Sequence, residues 1–328
     1  MTTIQDVARH AHVGAATVSR VLNGSGYVKD ATREKVLKAI KELNYTPNEM
    51  ARNLYHRKSG IVAIIVPEIS HPFFAEFINA AEIALFSHGY QSMICNTWTE
   101  QNYEARYLEI LKQQRVDGII TGSHTLDIKH YQSTDRPIVA LDRDLGPGIP
   151  CVAVDHVEGG RIAAEELVRA GCKNVLQCTG TDTVSTPSNA RHETFDKVMR
   201  EHGITCHNYV QKQNMFDYSY YDKISDEITD KYPDVDGFFA TDGLALSLIR
   251  SSMKKGRRYP KDFKVVAYDG TYISRLIYPS VTTIVQPINE LAVQCVDLIM
   301  DLIQERVPEE ENKKLKVTLR RGQSTEKF

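Results

Sequence analysis

Two periodicities divide the chain. Ile4, Val7, Ala8 and Ala11 recur at the spacing of one helical face, with Thr2 or Thr3 in place to cap it. His12, Val13 and Gly14 read as a turn. The run AATVSRVLN then sets Val18, Val21 and Leu22 on a second apolar face and turns Ala15, Ala16, Thr17, Ser19 and Arg20 elsewhere. A third amphipathic stretch, Thr32 to Leu43, offers Val36, Ala39, Ile40 and Leu43 to close a small core. Two short helices joined by a Gly-containing turn, completed by a third, predict a helix-turn-helix domain over residues 1–46. The charged stretch NEMARNLYHRKSG that follows marks a hinge at residues 47–59.

Beyond it, short apolar runs alternate with longer amphipathic ones. Ile61–Val66, Ser92–Cys95, Gly118–Thr121, Ile138–Asp142 and Val152–Asp155 read as buried strands, with helices at Phe73–Ser87 and Tyr103–Gln114. The rhythm resumes with helices at Glu158–Ala170, Asn189–His202, Tyr218–Lys231 and Leu244–Lys255, and strands at Val175–Thr179, Gly237–Thr241 and Val265–Asp269. Repeated βα units predict parallel sheets with helices on both faces, and two consecutive halves predict two Rossmann-like subdomains in residues 60–328. Polar residues close several strands: Asp142-Arg143, Asp155-His156, Thr241-Asp242 and Asp269-Gly270. Open α/β sheets bind ligands at these carboxyl ends; the alternative is that each Asp caps the next helix or turn.

Composition narrows the class. The 328 residues, 42% hydrophobic and 25% charged, are those of a folded globular protein. The formal charge of −2 conceals an asymmetry: residues 1–58 hold ten Lys and Arg against five Asp and Glu, so this segment is +5 and the remainder −7. A basic appendage on an acidic body points to nucleic acid. The apolar runs are far shorter than the roughly 20 residues that cross a bilayer, and the polar, periodic N-terminus is no signal peptide, so no membrane partner and a cytoplasmic location are expected. Six cysteines without a C-x-x-C pair indicate neither a zinc site nor a disulfide framework, and no cofactor or metal is expected. The chain has no G-x-S-x-G, Walker, H-E-x-x-H or G-x-G-x-x-G motif, so an enzyme is not expected.

From Ile4 to Leu54 the sequence closely resembles the N-terminal domain of the LacI/GalR family of transcriptional regulators: DVA in the first helix, TVSRVLN in the second, TREKV in the third, and NYTPN leading to A-R-N-L. The body resembles the family in SHPFF, HGY, VDGII, FATD, VVAYDG and the TTI-Q-P-I before the last long helix. The resemblance implies a periplasmic-binding-protein-like (type I) α/β body of two subdomains, joined to the helix-turn-helix domain and closing around a small effector. It implies a palindromic double-stranded DNA operator read by Arg20, with Ala15 and Ala16 at the start of the recognition helix and phosphate contacts from Thr17, Ser19, Asn23 and Tyr45. The hinge, with Asn48, Ala51 and Arg52, enters the minor groove, and Leu54 wedges between base pairs.

For the body it implies an effector pocket of His71, Phe73, Phe74, Asp142, Arg191, Phe216, Thr241, Asp242 and Asp269, with one of the two phenylalanines in the core. An aromatic ring with Arg and Asp suits a sugar or sugar phosphate, and LDRDLGPGIPCVAVDHVEGG is similar to members that respond to sucrose or fructose. Two positions depart from the family: Thr241 stands where Asn is usual, and Thr194 where Gly is usual. A single helix-turn-helix reads few base pairs, so a homodimer is expected. Past a last strand at Leu315–Leu319 only RRGQSTEKF remains, with no heptad tail for a tetramer. The expected function is a repressor of carbohydrate-utilisation genes; a sugar-binding module or carbohydrate enzyme without DNA binding is the alternative.

Overall fold

The computed structural model describes residues 2–45, 58–97, 103–113, 115–123, 128–132, 136–180, 186–212, 215 and 217–326. It divides into two compact units, Met1–Ser59 and Gly60–Phe328.

The first unit contains helices α1 (Ile4–His10), α2 (Ala15–Asn23) and α3 (Asp30–Glu42). Thr3 caps α1 reciprocally with Asp6, its hydroxyl accepting from the Asp6 amide while the Asp6 carboxylate accepts from Thr3. Gly24, at φ 62°, stops α2 in the left-handed region that glycine enters without strain. Val7, Ala8, Ala11, Val18, Val21, Val36 and Ala39 are buried together, with Ile4, Leu22, Ile40, Leu43 and Tyr45 packed around them. The face periodicity read from the sequence is the face that packs.

The second unit has two six-stranded sheets. The first has the order β11-β5-β4-β3-β1-β2, all parallel: β1 Ile61–Val66, β2 Gln91–Asn96, β3 Gly118–Thr121, β4 Ile138–Leu141, β5 Cys151–Val154 and β11 Asn312–Leu315. The second has the order β12-β10-β9-β8-β6-β7: β6 Asn174–Thr179, β7 Thr205–Val210, β8 Gly237–Thr241, β9 Lys264–Asp269, β10 Thr282–Val285 and an antiparallel β12 Thr318–Arg320. Runs such as IVAIIV and GFFA are apolar throughout because helices cover both faces of each sheet.

Helices α4 (Pro72–Ser87) and α11 (Ile288–Ile303) pack together on the first sheet. Helices α7 (His156–Ala170) and α8 (Asn189–Glu201) pack on the second, with α9 (Tyr218–Lys231) and α10 (Asp242–Lys254) on its other side. Helices α5 (Tyr103–Lys112) and α6 (Ile128–Gln132) complete the first lobe.

The lobes are not consecutive halves, as the sequence rhythm suggested. The first takes residues 60–154 and 287–315, the second 156–285 and 317–326, so the chain crosses three times, at Asp155, Gln286 and Lys316. The single strand expected at Leu315–Leu319 is two strands in different sheets. Local strand propensity does not carry sheet membership.

Candidate functional site

On α2, Ala15, Ala16 and Arg20 are exposed and Thr17 and Ser19 half-buried, while Val18 and Val21 face the core. An exposed guanidinium on such a helix can give two hydrogen bonds to the O6 and N7 of guanine. Asn23 ends the helix, and Tyr45 packs against the three-helix core. Tyr27, in the turn after α2, is 87% exposed; the sequence reading passed over it, although an aromatic beside a recognition helix was signal enough. Asn48, Ala51, Arg52 and Leu54 lie outside the described residues, as does Phe216.

In the body, groups from both lobes meet where β4, β9 and α7 converge. Asp142, just past β4, takes a φ of 55°, and its Oδ1 lies 2.7 Å from His156 Nε2. The other ring nitrogen, Nδ1, lies 2.8 Å from the Tyr268 hydroxyl. A carboxylate only accepts, so Nε2 carries a proton, and in the neutral ring Nδ1 accepts the Tyr268 O–H. His156, on the first turn after a crossover, thus bridges Asp142 of the first lobe to Tyr268 of the second.

Arg191 lays its guanidinium 4.4 Å above the Tyr268 ring. Two glycines in α7 permit this. A Cβ on Gly160 would stand 2.1 Å from the Arg191 carbonyl oxygen, and one on Gly159 would stand 2.7 Å from the Tyr268 hydroxyl. The Gly-Gly pair therefore lets α7 press against α8 and β9 together.

Asp269 is 5% exposed with φ at 108°. Its Oδ1 accepts from Gln286 Nε2 at 2.9 Å, while Oδ2 is buried with no partner among the described residues. Burial and the negative charge of Asp242 push its carboxyl well above the usual range, against the pull of Arg191.

Asp242, read from the sequence as a ligand contact, is occupied by the protein itself. Its Oδ2 accepts from the Thr271 amide and hydroxyl, both at 2.6 Å, and its Oδ1 accepts from the Thr283 hydroxyl at 2.8 Å. Burial raises this carboxyl to about 6. Thr241 sits at the N-cap position of α10 without a side-chain capping bond.

Asp155 takes the bland alternative, capping α7 through the Glu158 amide at 3.1 Å. His71 is buried beside Phe74, the ring centres 5.6 Å apart, and burial pushes its imidazole down to about 4. Phe73 and Phe74, edge to face, are both in the core, where only one was expected.

Arg143 departs furthest from the sequence reading. Instead of joining Asp142 at the crevice it turns inward, 2% exposed, donating to Glu104 Oε1 at 3.1 Å and to the Ser123 carbonyl at 2.7 Å. Tyr131 also hydrogen-bonds Glu104, the Ser123 hydroxyl donates to it at 3.3 Å, and Thr97 pairs with Ser123 at 2.8 Å. Residues following β2, β3 and β4 are thereby tied to α5 and α6. Among the described residues no His, Cys, Asp and Glu grouping could hold a metal, and no helix is long and apolar enough to cross a membrane.

A three-helix unit with an exposed Arg on its second helix, linked in sequence to a two-lobed body with a polar cluster between the lobes, defines the class of ligand-controlled DNA-binding regulators. Comparison with known proteins agrees. Residues 3–48 match the model of bacterial regulatory proteins of the lacI family, and residues 59–325 that of periplasmic binding proteins and the sugar binding domain of the LacI family. The chain is 39% identical over 307 residues to the ribose operon repressor of Halalkalibacterium halodurans, across 93% of this chain and 92% of that protein. It is 36% identical to the sucrose operon repressor of Streptococcus mutans, across 92% of each. Its fold is similar to the lac repressor dimer bound to operator and the anti-inducer ONPF, at 25% identity and a TM-score of 0.84 over 99% of both chains. It is also similar to a complex of the regulator CelR with cellobiose, at 28% identity and a TM-score of 0.70 over 99% of this chain and 100% of that one. The chain belongs to the LacI family of bacterial regulatory proteins, and is a DNA-binding transcriptional regulator rather than an enzyme.

Proposed function

We propose that the protein is a homodimeric repressor of carbohydrate-utilisation genes, acting in the cytoplasm and controlled by a sugar bound between its two lobes. The observation that carries this reading is the buried, unpartnered Asp269 Oδ2 beside Arg191, Tyr268 and Asp142. An acceptor without a donor in a pocket that also offers a guanidinium suits a ligand rich in hydroxyl groups. The relatives named for ribose and sucrose operons and the cellobiose-bound neighbour support the same ligand class.

On this reading Arg20 reads a guanine, Ala15 and Ala16 meet base edges by apolar contact, and Thr17, Ser19, Asn23 and Tyr45 hold phosphates. The hinge positions Asn48, Ala51, Arg52 and Leu54 complete the DNA contacts by resemblance alone. Effector contacts fall to Asp142, Arg191 and Asp269, with Thr241 at the margin; His71, Phe73 and Phe74 shape the wall. Two copies present two recognition helices to a palindrome. Exposed Ile83 and Phe86 on α4 and Ile94 on edge strand β2 are the apolar surface that a second copy would cover.

The test is a gel shift on a palindromic operator with and without sugars, alongside sedimentation of the protein and of Phe86→Asp. A sugar-dependent shift and a dimer that Phe86→Asp splits are expected. Binding unmoved by any of ribose, fructose and sucrose refutes the effector class.

A further inference from the structure

We infer that Asp117 is a positioning residue for operator binding: with Gly60 it forms the joint that fixes where the hinge leaves the body, and a change in the first lobe reaches the DNA through that joint. The inference rests on DNA binding by the family to which the chain belongs and on the hinge read at residues 47–59, and is independent of which effector binds.

Gly60 is the residue at which the chain enters β1. Its φ is 72°, a left-handed conformation that glycine adopts without strain and most other residues avoid. The consequence lies in its hydrogen bonds. A residue in extended conformation turns its N–H and C=O toward the same neighbouring strand, but Gly60 divides them. Its carbonyl accepts from the Gln91 N–H at 2.9 Å, at the start of β2. Its N–H donates instead to Asp117 Oδ2 at 2.8 Å, beside the start of β3 on the other side of β1. Asp117 also holds the next residue, its own N–H donating to the Ile61 carbonyl at 2.8 Å. One aspartate thus fastens two successive residues of the entering chain, and its side chain meets a donor that the turn has taken out of the ladder.

Helix α4 leads to the same joint. Its 16 residues follow the His71 N-cap, in the wall of the proposed cleft, and carry the chain back along the lobe. At its far end the Tyr90 N–H donates to the Leu85 carbonyl at 3.0 Å and closes the helix; the next residue is Gln91, which bonds Gly60. Asp117 reaches this turn as well, since its charge adds to burial in holding the Tyr90 phenol above its ordinary range. A shift of α4 is passed to Gly60 through Gln91, and Asp117 makes Gly60 follow the first lobe as one piece.

The test is a titration at fixed salt of the full-length protein against a palindromic operator duplex and a scrambled duplex of the same length, with sedimentation and thermal unfolding of each variant. Asp117→Ala removes the acceptor and should weaken operator binding at least about 5-fold, while the scrambled duplex, held through phosphate charge, binds as before. Electrostatics alone gives the opposite sign, because loss of a carboxylate favours association with a polyanion. Asp117→Asn loses the same charge but keeps an acceptor oxygen for the Gly60 N–H, and should stay near wild type. If Asp117→Ala does not fold, Gly60→Ala, strained at its φ of 72°, gives the reading, with the same loss expected. Operator affinity unchanged or raised, an equal loss in Asp117→Asn, a loss matched on the scrambled duplex, or a loss that comes with a monomer in sedimentation overturns the inference. If the wild-type protein does not distinguish the two duplexes, specific operator binding itself fails and the inference with it.

Discussion

Arg143→Met is the substitution that most sharply separates packing from charge. The methionine retains the stem and apolar volume of the arginine but removes the donors that reach Glu104 and the Ser123 carbonyl. Glu104 has 0% exposure, so its buried carboxylate loses the guanidinium that faces it. Removing one partner of a buried pair costs about 3–5 kcal/mol. For a body of this size that lowers the melting midpoint by roughly 6–20 °C. Replacing both partners, as Glu104→Leu with Arg143→Met, leaves no charge to desolvate and should recover much of the loss. A double-mutant cycle by urea unfolding measures this directly. A loss below about 1 kcal/mol, the range of exposed pairs, or single effects that simply add in the double variant, would refute the claim that this pair acts as a buried unit.

Arg20→Ala should lose about 1–3 kcal/mol of operator affinity per half-site, concentrated on one base pair, with the melting curve unchanged; a titration at fixed salt decides it. Sugar affinity should rise from mildly acidic to mildly alkaline pH: the free cleft holds the Asp269 carboxyl well above its usual range, and only its ionised form accepts a hydroxyl proton at both oxygens. Asp269→Asn should flatten that profile in calorimetry. Gly160→Ala puts a Cβ 2.1 Å from a backbone carbonyl that cannot turn aside, so α7 must move from α8; we expect a cost of about 1–3 kcal/mol and weakened effector binding, read by thermal unfolding and titration.

Much of the fold was legible because its signals are local. The apolar runs at Ile61–Val66, Gly118–Thr121 and Gly237–Thr241 and the helix at Tyr218–Lys231 have the bounds read from the sequence, since strands buried on both faces admit no polar interruption. The edge strand TCHNYV, half exposed and partly polar, gave no such run. Sheet membership was illegible for a different reason: Leu315 and Thr318, three positions apart, belong to different sheets, and pairing partners lie far away in sequence. The site divides in the same manner. A polar residue at a strand end marked Asp142 and Asp269, but the same signal marked Arg143 and Asp242, which face inward to Glu104 and to Thr271 and Thr283. Strand-end position gives the level of a side chain and not its side of the sheet. Tyr268 and Gln286 stood inside VVAYDG and TTI-Q-P-I without a role being read for either, and Glu104 carried no motif.

The crossovers explain why the proposed cleft can also be a switch. His156 follows the first crossover residue, Asp155, and hydrogen-bonds to both lobes. Gln286 lies at the second crossover and holds Asp269. The groups that would meet the sugar are thus fastened to the segments about which the lobes must rotate. A ligand moves such an equilibrium only by the difference in its affinity for the two states. Contacts confined to one lobe would persist in either state and supply no difference. On the proposed reading, Asp142 on one lobe with Arg191 and Asp269 on the other would reach a common hydroxylated ligand at one separation of the lobes, so much of the binding energy would be differential. On the same reading the His156 bridge would hold one arrangement of the lobes in the absence of ligand. His156→Ala should accordingly weaken discrimination between the free and liganded states, narrowing the change in operator affinity on adding sugar. If the full sugar-dependent change survives in that variant, the bridge plays no part in switching.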